Sequence, residues 1–167
     1  SADASIDCVF SSNVLEHVRD LAAFHREAAR VLRPGGYAVH VMPTAAWRFW
    51  TTVSGFADIP AAWVGALRDG RGLPRLAYVT AVRTLPLRHG ETGNAITELW
   101  TFRIAAWRKH FAAAGWQLRR AEPMGLFYTG WMLLGPRLTL DQRVALARLF
   151  GSATAVYVVE PPARTGG

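Results

Sequence analysis

The chain has 167 residues, of which 51% are hydrophobic and 19% are charged, and this excludes a disordered polypeptide and indicates one globular domain. Its formal net charge of +7 comes from arginines scattered along the chain rather than from a basic cluster, so we expect no nucleic-acid partner. No apolar run reaches the roughly 20 residues that span a bilayer, so we expect no transmembrane segment and a cytoplasmic location. The single cysteine, Cys8, excludes an internal disulfide and is predicted to be a buried small hydrophobe.

The first forty residues have the pattern of a βαβ unit. Residues 6–10 predict a buried strand, which the polar residues 11–13 bring to an end. Asp20 is a candidate N-cap, and the apolar residues after it recur at three- and four-residue spacing until Pro34-Gly35-Gly36 stops the helix. Residues 37–42 predict a second buried strand. Strand, helix and strand in this order predict a parallel pair joined by a right-handed crossover.

The remaining elements are predicted from weaker patterns. Residues 44–100 contain several tryptophans, glycines and prolines without a clean period. The predicted elements after the βαβ unit are a short helix at 61–67, one or two strands at 77–87, a helix at 101–114, a strand at 116–121, a helix at 140–150 and a strand at 153–159. The histidines outside the first loop are expected to be structural: His40 within a strand, His25 on a helix face, and His89 and His110 at the surface.

Three blocks of the sequence resemble the class I S-adenosylmethionine-dependent methyltransferases of the methyltransferase type 11 kind. Residues 5–18, SIDCVFSSNVLEHV, resemble the family's fourth strand and its LEHV loop. Residues 27–36, EAARVLRPGG, are similar to the family's E-x-x-R-V-L-(R/K)-P-G-G approach to strand five, and residues 111–116, FAAAGW, to its F-x-x-A-G-(F/W) approach to strand six. The strict resemblance covers residues 5–43 and 103–121; residues 153–160 fit strand seven more loosely.

This resemblance implies a partial Rossmann-like α/β sheet made of strands four to seven, mostly parallel with an antiparallel last strand. The family's D/E-x-G-x-G turn after strand one is not found here, so we expect strands one to three to be absent. The whole chain, 1–167, is then one truncated methyltransferase domain, with 44–100 as an insertion on the acceptor side. Because the loss of these strands uncovers a sheet edge, we also expect self-association through that edge.

The resemblance also implies a cofactor, S-adenosylmethionine, at the end of the first strand. In an open parallel sheet, ligands bind beyond the carboxyl ends of the strands, where the strand order reverses. By resemblance, Ser11, Ser12 and Asn13 line the cofactor through backbone carbonyls as much as side chains. Val14 and Leu15 form an apolar wall beside it.

His17 is the candidate catalytic residue. Methyl transfer needs alignment of the reacting atoms and sometimes a base, and an imidazole can change charge near neutral pH. The alternative is that His17 only caps or packs the loop. Some O-methyltransferases of the polyprenyl-hydroxybenzoate type carry E-x-x-E-H at this place and hold a divalent ion there. Asn13 replaces the first of those acids, which removes a charge that a hard cation favours, so we predict no metal.

Trp47, Arg48 and Tyr128 are the candidate substrate-binding residues. Trp47 and Arg48 follow the tip of the second strand, and aromatic rings with an arginine can hold a sugar, an aromatic ring or a lipid-linked substrate. The segment 128–131 is a second candidate for the rim of the pocket. The alternative for both segments is that their side chains form the core of the insertion.

We therefore expect the parent protein to transfer a methyl group from S-adenosylmethionine to a small-molecule or lipid-linked acceptor, with O-methylation preferred. The chain by itself is expected to bind the cofactor weakly or not at all. The alternative function is a non-catalytic or split-subunit methyltransferase-like module that needs a partner chain.

Overall fold

The computed structural model describes residues 2–70, 72–84, 89–128, 134 and 137–163 and contains a mixed α/β fold. Its elements in chain order are β1 (Ile6–Ser12), a 3-10 turn (Leu15–His17), α1 (Leu21–Val31), β2 (Leu32–Pro43), α2 (Ala45–Ala57), α3 (Ile59–Arg68), α4 (Gly72–Thr84), α5 (Ala95–Thr101), α6 (Ile104–Ala113), β3 (Gln117–Pro123), α7 (Leu140–Phe150) and β4 (Thr154–Glu160). Within these ranges, none of the helices combines the length and the apolarity that crossing a membrane requires.

The four strands form one sheet in the order β1-β2-β4-β3. β1 is parallel to β2, whereas β4 is antiparallel to both of its neighbours, β2 and β3. Three strands therefore share one direction and the last strand opposes them, which confirms the predicted mixed sheet with an antiparallel last strand. Among the described strands, β1 lies at one edge of the sheet and β3 at the other.

The βαβ unit forms as its sequence pattern predicts. The side chain of Asp20 caps α1, since its Oδ1 accepts a hydrogen bond of 2.7 Å from the N–H of Ala23. The buried residues of α1 include Ala28 and Val31, which belong to its apolar stripe. The side chain of Phe24 packs against the core as well.

The Pro34-Gly35-Gly36 turn lies inside β2 rather than before it. The pairing of β1 with β2 jumps from Ile6–Leu32 to Cys8–Tyr37, so the turn bulges out of the ladder. Gly35 takes a φ of +77°, and a Cβ on Gly36 would lie 2.9 Å from a backbone oxygen of the same turn. Glycine is therefore required here both for conformation and for close packing.

The core lies between the sheet and helices α1 and α6. Its buried members are Leu15, Ala28, Leu32, Ala38, Met42, Trp107, Phe111, Trp116, Ala155, Tyr157 and Val159. The ring of Phe111 stacks on the ring of His40 in β2, with centroids 5.7 Å apart. This core fixes β1 and β2 and, with them, the ends of both strands.

Two predictions about this fold are wrong. Cys8 is exposed, not buried, because it lies on the edge strand β1, where Phe10 is also 67% exposed. Residues 77–84 belong to helix α4 and not to a strand, while 85–88 lie outside the described residues. Packing of α4 against α3, joined by a 2.8 Å hydrogen bond from Trp63 Nε1 to Thr80 Oγ1, overrides the local β propensity.

Helices α2 to α5 lie between β2 and α6 in the sequence, and we call this part of the chain the helical segment. α2 packs against α5, and α3 packs against α4. The predicted helix at 61–67 is confirmed as α3. The later predictions of helices at 101–114 and 140–150 and of strands at 116–121 and 153–159 are confirmed as α6, α7, β3 and β4, with shifts of a few residues at some ends.

Candidate functional site

The chain turns sharply where β1 ends. Asn13 has a φ of +51°, a left-handed conformation that asparagine tolerates better than most residues with a side chain. Its N–H donates a 2.8 Å hydrogen bond to the carbonyl of Val41, which extends the pairing with β2 beyond the strand itself. The 3-10 turn then carries Glu16 and His17, with the N–H of His17 bonded to the carbonyl of Val14 at 2.9 Å. The loop between β1 and α1, residues 13–20, which we call the β1 loop, is thus held against the carboxyl ends of the parallel strands β1 and β2.

A cavity of about 640 Å³ opens at this end of the sheet, and we call it the strand-end cavity. Its walls come from the β1 loop, the start of α2, the segment before α5, the segment after β3 and the start of β4. The lining residues are Asn13, His17, Pro43, Trp47, His89, Leu126, Phe127, Tyr128, Arg143, Ala153 and Thr154. Four of the residues singled out in the sequence, Asn13, His17, Trp47 and Tyr128, therefore meet around one space.

Other candidate residues lie elsewhere. The side chain of Arg48 is 11% exposed and forms an ion pair with Glu98, so it does not face the strand-end cavity. Leu15 is 1% exposed and belongs to the core. The hydroxyl of Ser11 is buried and hydrogen-bonded to Nδ1 of His40 at 2.7 Å. Ser12 and Val14 are exposed. Of the second rim segment, Thr129, Gly130 and Trp131 lie outside the described residues.

His89 is a site residue that the sequence pattern missed, and its predicted place at the surface is wrong. Its ring is half-buried, with its centroid 4.9 Å from that of His17 and 4.5 Å from that of Trp47. Burial, followed by the nearby His17, lowers the pKa of His89 from its ordinary value. The residue lies 72 positions after His17 in the sequence, so no local spacing could have joined the two.

A buried carboxylate holds the segment that carries His89. Oε1 of Glu98 accepts hydrogen bonds from the N–H groups of His89 and Gly90, at 2.6 and 2.8 Å. Its other oxygen, Oε2, lies 2.9 Å from Nε of Arg48. Glu98 is fully buried, so this ion pair is shielded from water and joins α2, α5 and the segment before α5.

The same segment is tied to the β1 loop. The N–H of Glu91 donates to the carbonyl of Glu16 at 2.9 Å, and Nε of Arg19 donates to Oε2 of Glu91 at 2.9 Å. A Cβ on Gly90 would lie 2.8 Å from the carbonyl oxygen of Glu16, so only glycine allows this approach. Together these contacts fix His89 beside the 3-10 turn.

Glu16 is buried beneath the same turn. Its side chain is 1% exposed, and within the described part of the chain neither carboxylate oxygen has a hydrogen-bond partner. Burial raises the pKa of Glu16 above its ordinary value. Its Oε1 lies 3.9 Å from Nε2 of His17. The residue also borders a second cavity of about 640 Å³, which Trp107 and His110 help to line.

Three further histidines lie near the same end of the sheet: His25 and His40, which are buried, and His110, which is half-buried. Nε2 of His25 lies 3.0 Å from Nε2 of His110, while His40 bonds Ser11. Burial, followed by the neighbouring histidine, lowers the pKa of both His25 and His40 to about 4. The predicted place of His110 at the surface is wrong, because its ring packs against Trp107 and Phe111. The expectation that His40 is a core histidine is confirmed.

Comparisons with known proteins find matches for part of the sequence and for the fold. Residues 1–40 match the family model described as a methyltransferase domain. A stretch of 67 residues is 39% identical to part of a highly reducing polyketide synthase from Pyrenophora dematioidea, and it makes up 40% of this chain and 2% of that protein. The chain therefore spans only a small fraction of its curated relative.

Two solved structures are similar to the chain. One is a complex between the Haloferax volcanii Trm112 methyltransferase activator and a methyltransferase, with a TM-score of 0.50 and 13% identity, covering 99% of this chain and 58% of that one. The other is an S-adenosylmethionine-dependent methyltransferase from Mesorhizobium loti, with a TM-score of 0.47 and 13% identity, covering 94% of this chain and 62% of that one. The likeness to the Haloferax structure is one of fold.

Proposed function

Because the chain has the sequence signature and the fold of a class I methyltransferase domain, we propose that it takes part in methyl transfer from S-adenosylmethionine to a small or lipid-linked acceptor. The observation that carries this proposal is the strand-end cavity, whose lining includes Asn13, His17, Trp47 and Tyr128. Residues 44–100 then form the acceptor-side region of a single domain. O-methylation is the preferred reaction.

The β1 loop supplies part of what the cofactor needs. Ser12 is exposed and Asn13 borders the cavity, so a hydroxyl and an amide are free to meet the polar groups of the cofactor's methionine portion. Val14, 41% exposed, offers an apolar contact. Ser11 is already bonded to His40 and Leu15 lies in the core, so these two contribute backbone position rather than side-chain contacts. We therefore propose weak cofactor binding by the chain alone.

When bound, S-adenosylmethionine would supply the methyl group, with its sulfonium sulfur as the leaving group. The strand-end cavity would hold the acceptor with its oxygen toward that methyl group. An imidazole nitrogen of His17 takes the proton from the acceptor. The rings of Trp47 and Tyr128, which line the same cavity, would orient the acceptor, because a bound geometry close to attack lowers the entropic part of the barrier.

Two measurements test this function. Calorimetric titration of the chain with S-adenosylmethionine is expected to show no micromolar binding, and micromolar affinity would overturn the weak-binding part of the proposal. Methyl transfer from labelled cofactor to sugar, hydroquinone and lipid-linked phenol acceptors is then measured with the protein. His17→Asn is expected to lower transfer by roughly 100-fold or more, and His110→Gln serves as the control outside the strand-end cavity. Equal rates in both variants would remove His17 from the reaction.

A second candidate function is a methyltransferase-like subunit that works with a partner chain. The edge strand β1 is exposed at Cys8 and Phe10, and an unpaired edge invites pairing with another strand. The similar Haloferax methyltransferase was solved together with an activator protein. Light scattering over a range of concentrations tests self-association, which Phe10→Lys is expected to abolish. A wild-type chain that stays monomeric at high concentration would exclude self-pairing.

A further inference from the structure

Glu16, His17 and His89 bring their ligating atoms to one point beside the strand-end cavity. One carboxylate oxygen and one imidazole nitrogen from each histidine all lie within 4.8 Å of one another. We propose that these three residues bind a divalent transition-metal ion of the zinc class. Around such an ion, ligand atoms bonded at about 2.0–2.1 Å lie roughly 3.3 Å apart in a tetrahedral site. The side chain of His17 is 42% exposed, so its rotation can close the remaining gap.

The state of Glu16 is an independent argument for a cation. Its side chain is 1% exposed, and neither of its carboxylate oxygens has a hydrogen-bond partner within the described residues. A buried carboxylate without compensation is costly, and buried acids in proteins are normally hydrogen-bonded, paired or bound to metal. The weak pairing with His17, at 3.9 Å, does not satisfy both oxygens. A cation bound at this point would compensate the charge of the buried carboxylate.

The segment that carries the third ligand is held in place by backbone hydrogen bonds. The backbone of His89 is anchored to Glu98, and Glu98 is neutralised by Arg48. The neighbouring Glu91 is bonded to the carbonyl of Glu16, so the two ligand-bearing segments are joined directly. Because these bonds fix the backbone of His89 in the unbound chain, less order has to be imposed when an ion binds.

The ligand set selects the class of ion. Two imidazoles and one carboxylate suit zinc, cobalt, nickel or iron, whereas magnesium and calcium prefer oxygen ligands alone. Three protein ligands leave at least one position open for water or substrate. His17 and His89 both line the strand-end cavity, so an open position at this site adjoins the space proposed for the acceptor.

The site changes the proposed chemistry of His17, and this step alone rests on the proposed function. An imidazole nitrogen that binds a metal ion cannot also accept the acceptor's proton. The ion then acts by binding the acceptor hydroxyl and lowering its pKa, so that its proton leaves to water. Asn13, which occupies the place of an acid in related metal-binding loops, is not needed because His89 supplies the third ligand from a distant part of the sequence.

The test uses the chelator-treated chain without cofactor or acceptor, so its outcome is independent of methyl transfer. Zinc is titrated by calorimetry, and cobalt by visible absorption, whose intensity reports low-coordinate nitrogen and oxygen ligation. We expect one equivalent of each metal per chain, with affinity lowered roughly 100-fold or more in His17→Gln and in His89→Gln. His110→Gln, which alters a histidine outside the site, is expected to bind as the wild type does.

Two results would overturn the proposal: no saturable binding of zinc or cobalt to the wild-type chain, or equal affinity in His89→Gln and wild type. Circular dichroism of each variant shows that the fold is kept, and the exposed side chain of His17 makes His17→Gln the variant least able to disturb it. If the wild-type protein binds the metal but shows no methyl transfer, the result would count against the proposed function and not against the metal site.

Discussion

The βαβ unit at the start of the chain and the helical segment after it are held together in different ways. β1, α1 and β2 are stabilised by a ladder of strand pairs, a capped helix and a continuous apolar core. The end of the helical segment, where His89 precedes α5, is held by one buried ion pair and a few hydrogen bonds to backbone groups. The βαβ unit positions the strand ends beside the cavity, and the helical segment contributes Trp47 and His89 to the lining of that cavity.

This difference predicts which substitutions will disturb the site. Many contacts stabilise the βαβ unit, so a single change at an exposed position there should leave the site intact. In the helical segment the position of His89 depends on the hydrogen bonds to Glu98 and on the close approach of Gly90 to Glu16, so a change at either residue should displace His89. The three predictions below run from the largest expected effect to the smallest.

Glu98→Ala is expected to have the largest effect. It removes the carboxylate that pairs with the buried guanidinium of Arg48 and that accepts the N–H groups of His89 and Gly90. Breaking a buried ion pair from one side typically lowers the free energy of unfolding by about 3–5 kcal/mol. Urea unfolding measures this loss, and zinc titration at low urea measures the displacement of His89. Arg119→Met, which breaks the exposed pair of Arg119 with Glu160, is the matched control and should leave the unfolding midpoint unchanged. An equal effect of both variants would contradict the difference in stability expected between a buried and an exposed ion pair.

Gly90→Ala is expected to separate the segment of His89 from the β1 loop. The added Cβ would lie 2.8 Å from the carbonyl oxygen of Glu16, and backbone at that distance has to move. Overpacking of this kind costs about 1–3 kcal/mol in the free energy of unfolding. Gly65→Ala is the control, because a Cβ there meets nothing within 4 Å in the middle of α3, and it should stabilise the chain slightly. Thermal unfolding of the two variants compares them, and a Gly90→Ala chain as stable as Gly65→Ala would show that the close approach is not required.

His40 is expected to make the βαβ unit sensitive to acid. Its pKa of about 4 in the folded chain lies below the ordinary value of 6.5, so between these values the unfolded chain binds the proton and the folded chain does not. Stability is therefore lost as the pH falls through this window, by about 2 kcal/mol from His40 between pH 7 and pH 5. Urea unfolding at both pH values should show a smaller loss in His40→Gln than in the wild type. The same loss in both proteins would show that His40 does not titrate in this way, since His25 remains in each.

The βαβ unit and the β1 loop could be predicted from the sequence because their signals are local. Asp20 stands directly before an apolar period, and Gly35 and Gly36 stand where the chain must turn and pack closely. The convergence of His17, Trp47 and Tyr128 also followed from the rule that ligands gather at strand ends. Each of these inferences depended on a few neighbouring residues.

The rest depended on contacts between distant segments. Tyr78, Val79 and Thr80 favour a strand locally, yet they lie in α4 because α3 packs against it. His89 looked like a surface residue because nothing near it shows that Glu98 will accept its N–H. Arg48 looked like a substrate contact because its buried partner follows fifty residues later. Contacts between residues so far apart in the sequence leave no hydrophobic period and no local motif from which they could be predicted.

Cys8 gives the chain a single thiol on an exposed edge strand. A fluorophore attached there would lie five residues from Asn13 along an extended strand, a distance of roughly 17 Å at about 3.3 Å per residue. That is short enough for one label to sense both another strand pairing with β1 and a ligand entering at its far end. The side chain that the sequence placed in the interior thus becomes the natural position for a reporter.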